Sequence, residues 1–228
     1  MNERKNEIRA AMKAWRKALS ADERAYAATV VCDKLATSPE INGVLDPLDG
    51  CGSVCAVYLA SRDEIDLKDV IKTFLGWGVT VVAPRWNGKI YELAKLKSMR
   101  DEDLRRGPMG ILEPKDAEIV QPKAVDVWLV PGLAFTKGGV RLGYGGGWYD
   151  RLLAGAAKHS LKFGIAHGFQ VVGELPSEPH DIRLDGIVDD MLDHPLVTFG
   201  GLPDGCRAHI SINQICWSVD VSNAKWYN

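Results

Sequence analysis

The 228-residue sequence predicts a single α/β domain, a mostly parallel sheet covered by helices on each side, followed by a tail. Three observations predict it. From about residue 53 to residue 188, short apolar runs alternate with helical stretches and turn residues, the rhythm of strand–helix–strand units. Several of these runs are apolar at successive positions, as strands buried on both faces are. A chain of 228 residues can form one sizeable core and is short for two independent ones.

The elements follow in order. Ile8, Met12, Trp15 and Leu19 recur at intervals of four, three and four, which puts an apolar stripe on one face of a first helix. Ser20-Ala21-Asp22-Glu23 has the form of a capping box, so a second helix should start there and run to about Thr37, ahead of Pro39. Strands are expected over 53–59, 79–84, 90–93, 125–130, 161–166 and 186–188, with a helix over 66–77. In such folds ligands sit beyond the carboxyl ends of the strands. The segment 100–123, dense in charge, glycine and proline, reads as a long irregular connection of the kind that is usually functional or mobile. In the tail, Ile210 and Ile212, then Ile215, Trp217, Val219 and Val221, alternate with polar residues across a break at Asn213-Gln214, the pattern of a hairpin or a bulged strand.

Composition narrows the partners. A net charge of -2 with both signs spread along the chain predicts no nucleic-acid or membrane surface. No run approaches the ~18 apolar residues of a membrane span, and the charged N-terminus has no apolar stretch behind it, so a cytoplasmic protein is expected. Five scattered cysteines make a poor disulfide framework. Cys51 and Cys55 form a lone C-x3-C without matching histidines, which favours buried reduced thiols over a zinc site. His159, His167, His194 and His209 have no ligand spacing, and no nucleophile motif of the G-x-S-x-G type is present.

The segment with chemistry in it is a glycine loop. Between the strand ending at Val130-Pro131-Gly132 and a helical stretch from about Trp148 lie Gly143, Gly145, Gly146 and Gly147, with Arg141 before them and Asp150 after. Glycines let backbone N–H groups converge on an anion, and a following helix start adds its positive end. No Gly-Lys-Ser/Thr follows, and the third glycine of G-x-G-x-x-G would fall at Trp148, so neither standard nucleotide fingerprint applies. A guanidinium to clamp phosphate oxygens and a carboxylate to hold magnesium make the loop a better phosphate site than a bare turn.

The run Val130-Pro131-Gly132-Leu133-Ala134-Phe135, followed by Arg141-Leu142-Gly143-Tyr144-Gly145-Gly146-Gly147-Trp148-Tyr149-Asp150-Arg151, resembles the signature of the 5-formyltetrahydrofolate cyclo-ligase family, with Trp148 where the usual form has tyrosine. Lys5 and Arg9, the stretch from Tyr58 to Ile65, Pro84-Arg85-Trp86, the stretch from Met109 to Pro114, and Pro179-His180-Asp181 fall in the family's order, so the resemblance spans about residues 4–190. It implies a three-layer α/β/α fold of the NagB/RpiA/CoA-transferase-like type over 1–190, with the N-terminal helices packed near the site and 191–228 as an extension outside the pattern.

The resemblance also implies the reaction. ATP phosphorylates the formyl oxygen of 5-formyltetrahydrofolate, and the neighbouring amine of the same folate closes the ring, giving 5,10-methenyltetrahydrofolate, ADP and phosphate. Lys5 and Arg9 share a helix face, read from their spacing as lying opposite the apolar stripe, and with Arg141 they are the implied catalytic cations. Gly143, Tyr144, Gly145, Gly146, Gly147, Trp148 and Tyr149 complete the implied ATP site. Leu59, Glu64, Trp86, Met109 and Tyr149 are the implied folate contacts, and Asp150 and Asp181 the implied magnesium ligands. Asp185 is read as support for the Asp181 loop. The partners implied are small molecules, a reduced folate and ATP, with no nucleic acid or membrane, in a monomer or weak homodimer. Two other readings stay open: a non-catalytic folate- or nucleotide-binding relative, and a sugar-phosphate isomerase-like enzyme on the same architecture, which would not need ATP.

Overall fold

A computed structural model describes residues 2–45, 52–61, 63–116, 118–178, 181–192 and 197–198. The tail pattern at 210–221, together with Cys51, Cys206, Cys216, Pro179 and His180, lies outside them. The elements are α1 (Asn2–Ala18), α2 (Ala21–Thr37), α3 (Pro39–Asn42), β1 (Val54–Ala56), α4 (Lys68–Gly76), β2 (Thr80–Trp86), β3 (Tyr91–Lys95), β4 (Leu104–Arg106), β5 (Leu112–Pro114) and β6 (Ile119–Val120). After them come β7 (Val127–Pro131), β8 (Ala134–Thr136), β9 (Arg141–Leu142), α5 (Trp148–Leu153), β10 (Leu161–Ala166), β11 (Val171–Val172), β12 (Gly186–Asp189) and β13 (Val197–Thr198).

The main sheet has the order β13-β12-β10-β7-β1-β2-β3-β6. Its inner strands β12, β10, β7, β1 and β2 run parallel, and antiparallel strands close both edges. Side chains alternate between two cores, as the pleat requires. Cys55, Val57, Val81, Val127, Leu129 and Phe163 face α2 and α4, whereas Ala56, Val82, Trp128 and Val130 face Leu152 and Leu153 of α5 and Phe135 of β8. The result is the three-layer α/β/α arrangement. Every residue of β7 is buried, which accounts for its continuous apolar run.

The capping box forms as expected. The Ser20 side chain accepts from the Glu23 N–H at 3.2 Å, and Glu23 accepts from the Ser20 N–H at 2.7 Å. Cys32 and Cys55 are free buried thiols. Among the described residues no helix is long and apolar enough to cross a membrane.

Three expectations are corrected. The strand expected over 53–59 is paired as β1 only from Val54 to Ala56; a further backbone bond from Val57 to Val82 is made before the chain leaves the sheet toward the site. The segment 100–123 is not irregular: β4 and β5 form an antiparallel hairpin across a one-turn 3-10 segment, Pro108–Gly110, and β6 joins the sheet edge. Its glycines and prolines mark the turn rather than a loss of structure. The face that α1 buries is only partly the apolar stripe: Ile8 and Met12 pack inward, but Lys5, read as lying opposite the stripe, is buried as well. Lys5, Met12 and Arg16 are its buried residues, while Trp15 remains 39% exposed. Met12 sits on Leu133, Ala134 and Leu142 beside the small sheet β11-β8-β9, and the polar members of the same face point into the site.

Candidate active site

The glycine loop connects β9 to α5 beyond the end of β7, where the carboxyl ends of the parallel strands gather. Gly145 (φ 103°) and Gly147 (φ 63°) hold left-handed backbone that other residues rarely adopt, so the curl of the loop depends on them. Because α5 has only six residues, its dipole adds little, and the charge facing the loop comes from side chains.

Arg141 is buried, its side chain 4% exposed, and its guanidinium lies 2.6 Å from Asp150 and 5.8 Å from the centre of the Tyr149 ring. Arg9 donates from Nε to the Gly143 carbonyl at 3.0 Å and from its terminal nitrogen to Asn6 at 2.8 Å. Lys5 Nζ lies 3.0 Å from Glu178 and 3.9 Å from Asp181, whose carboxylate accepts from the Glu178 N–H at 2.7 Å. Lys5, Arg9, Arg141, Asp150, Glu178 and Asp181, with residues 142–149, line one pocket of about 240 Å³. That is smaller than the ~300 Å³ at which small-molecule pockets begin, a size for the phosphates of a nucleotide rather than for all of it.

The pocket therefore brings together every residue expected at ATP and at the metal: Lys5, Arg9, Arg141, Gly143, Tyr144, Gly145, Gly146, Gly147, Trp148, Tyr149, Asp150 and Asp181. It adds Glu178, which the sequence did not single out. Among the described residues no group of three or more His, Cys, Asp or Glu side chains is arranged to hold a metal by itself. Asp150 and Asp181 offer hard carboxylate oxygens to the pocket, the donor type and number that suit magnesium, which commonly takes one or two carboxylates and completes its shell with water and substrate phosphates.

The residues expected at the folate divide. Glu64 joins the glycine loop directly: its carboxylate accepts from the Tyr144 hydroxyl at 2.7 Å and from the Ser61 N–H at 2.8 Å. The same hydroxyl accepts from Arg16 at 2.6 Å, and Arg16, 1% exposed, also donates to the Asp63 carbonyl at 2.7 Å and pairs with the Asp63 carboxylate at 3.1 Å. Burial opposes the Arg16 charge, but Tyr144, Glu64 and Asp63 outweigh it and raise its pKa. Arg16 is a functional candidate that the sequence reading missed.

Trp86 stands edge-on to Trp148, the first residue of α5, at 5.4 Å, and Tyr91 closes the cluster at 5.1 and 5.3 Å from the two. The Tyr149 hydroxyl is buried beside them without a hydrogen-bond partner among the described residues. Burial, reinforced by Glu64, pushes its pKa well above the usual phenol value, so it remains a neutral donor. Leu59 is 6% exposed and packs in the main core with Tyr58 and Ile65. Met109 belongs to the 3-10 turn of the β4–β5 hairpin, and its side chain lies outside the described set. Asp185 is placed on the sheet side, accepting from the Lys162 N–H at 2.8 Å at the start of β10.

The model of the 5-formyltetrahydrofolate cyclo-ligase family matches residues 1–190. The chain is 23% identical over 199 residues to the 5-formyltetrahydrofolate cyclo-ligase of Mus musculus, covering 82% of this chain and 94% of that protein. It is 34% identical over 137 residues to the enzyme of that name from Escherichia coli K12, covering 58% of this chain and 75% of that one. Among solved structures, the 5,10-methenyltetrahydrofolate synthetase of Aquifex aeolicus superposes with a TM-score of 0.70 at 32% identity, over 90% of this chain and 99% of that one. With the family model matching residues 1–190 and a solved member superposing over 90% of the chain, the chain belongs to the 5-formyltetrahydrofolate cyclo-ligase family.

Proposed function

We propose that this protein is a cytoplasmic enzyme that uses ATP and magnesium to convert 5-formyltetrahydrofolate into 5,10-methenyltetrahydrofolate, ADP and phosphate. The observation that carries the proposal is the convergence of Lys5, Arg9 and Arg141 on one glycine-lined pocket whose rim, Trp148, packs on Trp86.

A formyl amide is a poor electrophile because its oxygen is a poor leaving group. In the proposed reaction that oxygen attacks the γ-phosphorus of ATP; the new P–O bond forms as the bond to ADP breaks. The neighbouring amine nitrogen of the folate then attacks the formyl carbon and gives up its proton to solvent, the ring closes, and phosphate departs with the former formyl oxygen. Both reacting groups belong to the substrates, so the protein needs no nucleophile of its own, only alignment and charge stabilisation. Lys5, Arg9 and Arg141 neutralise charge on the phosphoryl oxygens, and the amides of residues 143–147 hold the phosphates. The neutral Tyr149 hydroxyl offers a hydrogen bond within the same pocket. Trp86, Tyr91 and Trp148 present an aromatic surface to the folate rings, with Glu64 accepting from the amide-like N–H groups of the pterin. Asp150 and Asp181 would hold magnesium, which would supply positive charge to offset that of the phosphates.

The experiment is direct. Protein, magnesium and 5-formyltetrahydrofolate are mixed with and without ATP while the absorbance of the methenyl product is followed. An ATP-dependent rise is expected, and its absence removes the proposal.

A further inference from the structure

Helix α1 grips the glycine loop as well as lending it cations. Arg9, Lys13 and Arg16 follow at intervals of four and three, on one face of the helix, and all three converge on Gly143-Tyr144. Arg9 donates to the Gly143 carbonyl at 3.0 Å, and Lys13 and Arg16 lie 5.8 and 5.7 Å from the centre of the Tyr144 ring. Nothing in the ring closure described above uses Arg16 or the Tyr144 hydroxyl.

That hydroxyl joins opposite charges. It accepts from a terminal nitrogen of Arg16 at 2.6 Å and donates to Glu64 at 2.7 Å, a chain from cation to carboxylate in which the first bond polarises the second. Arg16 also holds the loop between β1 and α4 directly, through its bonds to the Asp63 carbonyl and carboxylate. The other Glu64 oxygen accepts from the Ser61 N–H at 2.8 Å. Glu64 is therefore aimed from two sides, from within its own loop and from the glycine loop 80 positions away.

Tyr144 stands between Gly143 and Gly145, the latter at φ 103°, in a loop whose curl is set by glycines. Glycine backbone has many conformations to lose, so what its amides hold decides which one it keeps. Phosphates seated on those amides would fix the place of the Tyr144 hydroxyl, and the hydroxyl would fix Glu64.

We propose that Arg16 and Tyr144 are positioning residues that make the two substrates bind interdependently: nucleotide on the glycine loop sets the Tyr144 hydroxyl and, through it, Glu64 for the folate. The inference rests on the reading of Glu64 as a folate contact. By linkage the coupling runs both ways, so each substrate raises the affinity for the other by the same factor.

The test is calorimetric titration of 5-formyltetrahydrofolate into the protein, either alone or saturated with magnesium and a non-hydrolysable ATP analogue. Wild type, Tyr144→Phe, Arg16→Lys and Glu64→Gln are compared. The readout is the ratio of the two Kd values, because a general loosening of the structure weakens binding in both conditions alike. The wild type should bind the folate about five- to tenfold more tightly with the nucleotide present. Tyr144→Phe keeps the ring and removes only the bridging hydroxyl, and should bring that ratio below about two. Arg16→Lys keeps the charge but loses the fork that reaches both Asp63 and Tyr144, and should do the same. Glu64→Gln should weaken folate binding in both conditions. Equal Kd values in the wild type, or the full ratio kept in Tyr144→Phe, overturn the relay. Undiminished folate binding by Glu64→Gln removes the folate role of Glu64 and the relay with it. Weakened binding in Glu64→Gln beside a full ratio in Tyr144→Phe removes the relay alone. Interdependent binding without ATP-dependent turnover keeps the relay and removes the proposed reaction.

Discussion

At the scale of single residues, the site is built from charges that are held rather than free. Arg141 is clamped between Asp150 at 2.6 Å and the Tyr149 ring, so it presents its charge in one place without reorganising. Arg141→Ala should lower kcat by about 10²–10³. The fold should survive, because Asp150 is a third exposed and can be solvated once its partner is gone. A near-normal rate would take Arg141 out of the chemistry, and a circular dichroism melt separates that result from unfolding. Tyr144 is a second such point. Its hydroxyl links Arg16 to Glu64, and its pKa is raised well above the usual phenol value by burial and by Glu64, so it stays protonated and donating. In Tyr144→Phe one terminal nitrogen of Arg16 keeps only the Gly132 carbonyl at 3.5 Å. A buried donor left that way costs about 1–2 kcal/mol, to be read as a lower urea midpoint; an unchanged midpoint would show that the link carries no stability. The resemblance named Glu64, but the contact that ties it to the glycine loop spans 80 positions and no local pattern could reveal it. Arg16 was hidden for a different reason, since in sequence it is one more cation beside Lys13 and Lys17.

At the scale of elements, local signals were legible and orientation was not. The α2 start was readable because a capping box is decided within four residues. Ser20→Ala should cost about 1 kcal/mol in urea unfolding with kcat unchanged, as the cap faces solvent away from the pocket; equal stability would mean that the box contributes nothing. For α1, apolar spacing found Ile8 and Met12 but not the polar part of the buried face, because the rule assumes that a helix docks on an apolar core. This helix docks on a polar site, so its buried face carries Lys5 and Arg16 with Met12 as the apolar anchor. The β4–β5 hairpin was missed because its strands are three residues each, and Gly107, Pro108 and Gly110 dominated the reading of the segment. Parallel strands, by contrast, announced themselves through unbroken apolar runs, and β10 coincides with its expected bounds.

At the scale of the whole molecule, the strand ends rather than the strands are the place where polar groups must be managed. His167 and Asp190 follow β10 and β12 directly; their side chains meet at 2.7 Å, and the Gly168 N–H donates to the same carboxylate at 2.8 Å. The His167 ring stacks on Phe169, which meets Trp15 of α1 edge-on at 5.9 Å, so the pair ties the sheet to the helix that supplies Lys5 and Arg9. Burial works to raise the Asp190 pKa, but the bonds from His167 and Gly168 prevail and lower it. A carboxylate depressed in the folded state contributes stability above its unfolded pKa of about 3.9, and that contribution is lost as pH falls through the folded value. Asp190→Asn should therefore be less stable than the wild type near pH 7, by about 1–2 kcal/mol for a charge-assisted pair at this depth. The two unfolding curves should converge as the pH drops below about 4. Urea unfolding at pH 7, 5 and 3 checks this; a gap that stays constant across the range would mean that the substitution acts through packing and that the carboxylate's charge does not hold the strand ends to α1.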